Sequence, residues 1–303
     1  MMSNLDQLHR FMIDQANVRG ELARLDNSLQ HIIHNYEYPV QIQQLLAEMS
    51  AATCLLTAIL KFKGEISLQI QGQGLMRYAV LSATSDFTMR GVARWDESVT
   101  TLPESFSELV GEKGVLVITI SPVEGERYQG VVALDKPTLA ECIDAYFQQS
   151  EQLATTVRLF TDLSDPENTK AAGMLLQVLP TQAERTNVAE NTGFDHLSTL
   201  ANTLTTEEMF SLPVQDILYR LYHQEEVTLF EPNDISFACT CSRARSAEAL
   251  RNVDKAELLD IVAEEGAIKM NCQYCHTEYR FDSIDVEAIH GGHVADNTPD
   301  QAQ

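Results

Sequence analysis

Val40–Ser82 reads VQIQQLLAEMSAATCLLTAILKFKGEISLQIQGQGLMRYAVLS, and two periodicities meet inside it. Over Val40–Lys61, the residues Leu45, Leu46, Met49, Leu55, Leu56, Ile59 and Leu60 recur at helical spacing, and Gly64 follows as a stop. From Ile66 the period falls to two: Ile66, Leu68 and Ile70 alternate with Ser67 and Gln69, as in a half-buried strand. Gln71–Gly74 then turns the chain into a second strand, Met76–Ser82. Gly72 and Gly74 resemble part of a phosphate loop, but the third glycine is missing and a strand follows, so they are assigned to a hairpin turn. A long helix feeding a hairpin indicates an α+β class built on hairpins more than on βαβ units.

Working outward, further strands are expected at Met89–Trp95, Val115–Ile120, Tyr128–Leu134, Thr156–Thr161 and Gly173–Leu179. Thr138–Gln149 reads as a helix with Thr138 as N-cap and Glu141 completing a capping box. Asn17–Gln30 reads as a helical entry. Together these make an N-terminal α+β domain over 1–180. Residues 181–192 are polar and aperiodic, as in a linker. Beyond them, Thr205–Glu208 fits a second capping box. Val214, Ile217, Leu218, Leu221 and Tyr222 share one helical face. That segment is too short for a core of its own and is expected to dock on the first domain. Residues 181–230 are therefore read as a helical linker region, 231–290 as a small C-terminal module, and 291–303 as a disordered tail.

Within the module, Ile235–Thr240 is strand-like, Ser246 and Asp254 have N-cap character, and Gly266 is a helix stop. Met270–Cys275 and Glu278–Phe281 suggest a hairpin. Two cysteine pairs lie here, Cys239-x-Cys241 and Cys272-x-x-Cys275, with 30 residues between them. Zinc takes four thiolates in a tetrahedron, commonly offered as two close pairs, so Cys239, Cys241, Cys272 and Cys275 are read as one zinc site holding a single Zn2+. A regular strand would separate the C-x-C positions by about 7 Å, so a tighter backbone is expected there. A closed four-sulfur site leaves no position for a catalytic water. His276, His290 and His293 are read as solvated surface, and Cys54 and Cys142, inside expected helices, as buried core thiols.

Forty-four acids against 21 bases give a net charge of −23, which disfavours nucleic acid and anionic membranes as partners. Met1–Gln15 lacks a basic start followed by an apolar run. The most apolar stretch, Ala51–Leu60, falls well short of the roughly 20 residues that span a bilayer. A cytoplasmic location is expected, where thiols stay reduced and paired cysteines point to metal or redox chemistry. No Ser/His/Asp set or carboxylate pair can be singled out, so an enzyme is not supported.

The cysteine pattern resembles that of the redox-regulated 33 kDa chaperonin family. So do Asn17–Glu21, Gln69–Met76, Met89–Arg94, Gly125–Gly130, Gly173–Gln177, Leu221–His223 and Cys239–Arg243, spread over nearly the whole chain. The resemblance implies an ATP-independent chaperone, inactive while reduced and zinc-bound. Oxidation would pair Cys239 with Cys241 and Cys272 with Cys275, release the metal and unfold the module. The linker region would then lose its support and expose apolar faces to unfolding client proteins, and the active form would be a homodimer. Two other readings stand beside this one. A zinc-ribbon-type binding module for nucleic acid or protein would use Arg243, Arg245 and Arg251, although acids outnumber bases 11 to 6 over 232–294. A thiol–disulfide oxidoreductase would use Cys272-x-x-Cys275, although no thioredoxin-like βαβ setting surrounds it.

Overall fold

The computed structural model describes residues 5–60, 63–99, 101–179 and 192–291. Apart from Thr192 and Gly291, the linker expected over 181–192 and the tail expected over 291–303 lie outside the described residues, as do Lys61 and His293. The chain divides into two compact units, Met1–Ala238 and Cys239–Gln303, so the division falls immediately before the C-x-C pair.

The first unit opens with an antiparallel hairpin, β1 (Gln7–Ile13) and β2 (Val18–Leu25), followed by α1 (Asn27–Ile33) and α2 (Val40–Ala58). The helical entry expected over Asn17–Gln30 is corrected here: most of it is strand, and the helix begins at Asn27. Strand β2 is buried on both faces, which erases the alternation that would have revealed it. Gly20 is required there, because a Cβ would enter the space taken by the Phe11 ring.

Next come β3 (Gly64–Gln71), β4 (Met76–Thr84), β5 (Thr88–Trp95), the short α3 (Phe106–Val110), β6 (Val115–Pro122) and β7 (Tyr128–Ala133). Thr138 caps α4 (Leu139–Tyr146) through the expected box with Glu141, and β8 (Thr155–Asp162) and β9 (Lys170–Val178) follow. Among the described residues these strands form two six-stranded sheets. One has the order β5-β4-β3-β6-β7, extended by a later strand, and the other contains β1-β2-β9-β8.

Helix α2 packs against both sheets and is buried on nearly every side. Its hydroxyls are satisfied internally: Ser50, Thr53 and Thr57 donate to the carbonyls of Leu46, Met49 and Thr53 at 2.7 Å. Cys54 and Cys142 are core thiols, and burial pushes both upward in pKa.

The rest of the unit covers the opposite face of the β1-β2-β9-β8 sheet with α5 (Thr192–Ala201), α6 (Thr206–Ser211) and α7 (Val214–Tyr222). Thr205 and Glu208 form the second capping box, and Val214, Ile217, Leu218, Leu221 and Tyr222 of α7 are the residues buried. Side chains along the strands alternate between two separate cores. Leu8, Ala23, Leu25 and Leu175 join α2, whereas Phe11, Ile13, Leu22, Met174 and Leu176 join α5–α7. The helical layer thus shares with this sheet a second hydrophobic core, distinct from the one around α2. The chain then adds β10 (Val227–Leu229) and β11 (Asn233–Asp234) to β1, and β12 (Ser236–Phe237) to β5.

The second unit contains α8 (Arg243–Leu250), α9 (Lys255–Glu265), the hairpin β13 (Ile268–Asn271) and β14 (Glu278–Phe281), and α10 (Ser283–Gly291). Asp254 caps α9, and Gly266 ends it in the left-handed conformation at φ 83°. Ser242, rather than Ser246, caps α8; Ser246 lies one turn inside and donates back to the Ser242 carbonyl.

Candidate metal centre

Strand β12 ends at Phe237, and residues 238–242 run without regular structure, which frees the C-x-C pair from strand geometry. The second pair occupies the β13–β14 turn. There Cys272 N–H donates to the Thr277 carbonyl at 3.0 Å, His276 N–H donates to the Cys272 carbonyl at 2.9 Å, and His276 is left-handed at φ 57°. The Tyr274 N–H donates to Cys272 Sγ at 3.4 Å.

All four sulfurs lie within 4.8 Å of one another. Cys239 Sγ is 3.6 Å from Cys272 Sγ, and Cys241 Sγ is 3.4 Å from Cys275 Sγ. A tetrahedral ion with metal–sulfur bonds of about 2.3 Å places its sulfurs about 3.8 Å apart, so this donor set fits zinc in size and in softness. The four cysteines could hold one metal ion without a histidine ligand. His290 Nε2 is buried without a partner, in the α10 helix.

Two neighbours act on the sulfurs. The Tyr279 hydroxyl donates to Cys241 Sγ at 3.1 Å, and the Thr277 hydroxyl lies 3.2 Å from Cys275 Sγ. Burial pushes Cys239 and Cys241 upward. Burial also raises Cys275, but hydrogen bonds from Thr277, then Cys241 and Cys239, outweigh it and bring that thiol to about 7. Sequence reasoning missed Tyr279 and Thr277, whose positions depend on the register that sets Met270 opposite Tyr279.

The core of this unit is small: Ala247, Leu250, Leu258, Ile268, Phe281, Val286 and Ile289 are its buried members. Its arginines are engaged. Arg243 meets Asp285 at 2.6 Å and stacks over the Phe281 ring at 4.4 Å, Arg251 meets Glu248 at 2.8 Å, and Arg245 donates to the Thr240 carbonyl at 2.8 Å.

The family model described as Hsp33 protein matches residues 6–282, a span that includes both sheets and all four cysteines. The chain belongs to the Hsp33 family. A 33 kDa chaperonin of Pseudoalteromonas atlantica is 62% identical over 97% of this chain and 98% of its own length. One from Shewanella oneidensis is 50% identical over the same shares. The crystal structure of the Thermotoga maritima Hsp33 homologue superposes with a TM-score of 0.81 at 22% identity, covering 95% of this chain and 98% of that one, which establishes the shared fold. Membership of this chaperone family agrees with a thiol cluster that can bind metal, and among the described residues no helix is long and apolar enough to cross a membrane.

Proposed function

We propose that the chain is a redox-regulated, ATP-independent chaperone whose four-cysteine site is a latch. The observation that carries this reading is a four-thiol cluster in a unit with a small core, joined in sequence to a helical layer that covers an apolar sheet face. Cys239, Cys241, Cys272 and Cys275 would hold the metal. Zinc, when bound, supplies a cross-link on the order of 10–16 kcal/mol of apparent binding energy, comparable to a domain's whole stability.

Oxidation turns thiolate donors into disulfide sulfurs that no longer serve as ligands. The reduced geometry brings cross pairs nearest, yet a tetrahedral set holds every pair at a similar distance, so proximity there does not choose partners. The resemblance to the family implies pairing within each motif, Cys239 with Cys241 and Cys272 with Cys275, once the module loosens. Balanced for one pair, two thiols and one peroxide give one disulfide and two waters. The C-x-C disulfide closes a very small ring and is expected to be strained and readily reduced.

Loss of the module's order reaches the first unit through the chain itself. One residue, Ala238, separates Cys239 from β12, and β12, β11 and β10 are short strands leading back to α7. Releasing α5–α7 would uncover Phe11, Ile13, Val18, Leu22, Met174 and Leu176 on the sheet, together with the buried face of α7. An apolar surface of that kind binds unfolding clients. Homodimerisation of the active form and a cytoplasmic site of action belong to the same proposal. The engagement of Arg243, Arg245 and Arg251 within the module favours it over a nucleic-acid-binding ribbon. The test is suppression of a client's thermal aggregation before and after peroxide treatment, with bound zinc measured in parallel. Activity only after zinc release is expected; equal activity in both states, with zinc retained, refutes the proposal.

A further inference from the structure

The first unit contains a cavity of about 550 Å3 between the β1–β2 strands and the α6–α7 junction. Arg24 of β2 lines it, although only 7% of this residue is exposed. Its guanidinium makes one hydrogen bond, from Nη2 to the Leu212 carbonyl at 2.6 Å, and its Nε is buried without an acceptor. Burial is what acts on Arg24, lowering it to about 10, with no carboxylate working in the opposite direction. His9 lines the same cavity and keeps Nδ1 buried without a partner.

The N-terminus of α7 opens on this cavity through Pro213, Val214 and Gln215. Pro213 stands at the cap position and makes no side-chain cap. The Pro213 carbonyl takes the amides of Asp216 and Ile217. Val214 and Gln215 present the first-turn amides, which have no acceptor within a helix.

A buried guanidinium without a counter-ion is unfavourable, and a helix N-terminus adds partial positive charge beside it. One bound anion relieves both. We propose that this cavity is a binding site for a phosphate group, seated between the Arg24 guanidinium and the N-terminus of α7. Leu212, Leu229 and Phe230 form an apolar part of a wall that also carries Gln7, Ser211 and Gln215, so the phosphate group is compared free and on a small apolar body. Glu231 also lines the cavity and sets a limit on how much negative charge it accepts. The overall net charge of −23 disfavours anion binding elsewhere on the surface. Because β2 stands on one side and the α6–α7 junction on the other, an occupant ties the helical layer to its sheet and stabilises the docked state by mass action. The site rests on geometry alone. Only the consequence that phosphate delays activation rests on the proposed function.

The experiment is calorimetric titration of the reduced, zinc-loaded full chain with inorganic phosphate and, separately, with phenyl phosphate, at physiological ionic strength. One saturable site per chain is expected. Arg24→Gln should weaken it by at least ~10-fold. Gln215→Glu should weaken it as well, while the added first-turn acid suits the helix and keeps the fold should Arg24→Gln destabilise it. Phosphate should also slow hydrogen exchange over 206–222. Tighter binding of phenyl phosphate assigns the site to phosphomonoesters; equal affinities assign it to free phosphate. Absence of saturable binding to the unaltered chain, or binding undiminished in Gln215→Glu, overturns the proposal.

Discussion

Replacing Ile217 by alanine isolates the helical layer from the metal site. Ile217 is fully buried on the docking face of α7, within the core that joins α5–α7 to the sheet and remote in sequence from the cysteines. The substitution removes three carbons, worth about 0.8 kcal/mol each, and leaves a cavity, for a total of roughly 3 kcal/mol. Alanine is the better helix former, so α7 itself is not penalised. A change of that size raises the open-to-closed ratio of the layer by roughly 100-fold. The assay is hydrogen exchange over 192–229 in the reduced, zinc-loaded protein, paired with suppression of client aggregation. Faster exchange in the layer, unchanged zinc content and client binding without any oxidant are expected. If the layer opens and clients are still ignored until oxidation, the surface beneath α5–α7 is not the client-binding surface and the reasoning fails.

Three other outcomes can be checked separately. Burial raises Glu21 to about 8, despite Arg10 at 3.8 Å and nearby Arg19, and raises Asp144 to about 7. Between the ordinary carboxylate range and those values the folded chain holds protons that the unfolded chain has released. Stability of the first unit should therefore fall as pH rises from about 5 to 8, by up to ~1.4 kcal/mol per pH unit per group. Denaturation followed through Trp95, the one tryptophan, reads this, and Glu21→Gln should flatten the slope. Tyr279→Phe removes the hydrogen bond to Cys241 Sγ, leaving a more nucleophilic sulfur. Peroxide-driven zinc release, timed with a chromogenic chelator, should quicken several-fold, and an unchanged rate would assign the tyrosine to packing alone. Thr205→Ala deletes the capping box at α6 and should cost the layer about 1 kcal/mol, seen as faster exchange over 206–222 with no change over 64–95.

Local signals were legible wherever their physics is local. The capping boxes at Thr138 and Thr205, the α7 face, the β3–β4 hairpin and the Gly266 stop each depend on residues within one or two turns. Strands β1 and β2 escaped because both faces of their sheet are covered, one by α2 and the other by α5–α7, so apolar residues no longer alternate with polar ones. The four cysteines were legible because chelation imposes spacing on the sequence itself. Tyr279 was not, because its approach to Cys241 arises from hairpin register and a contact 38 residues away. The cavity at Arg24 was hidden for the same reason, since β2 and the α6–α7 junction meet only in the folded unit.

The most direct measurement follows zinc release and hydrogen exchange together in one sample after addition of peroxide. A shared rate constant is expected for metal loss and for loss of protection over 192–238, with 64–95 remaining protected. Complete zinc release that leaves 192–238 as protected as before would contradict the latch.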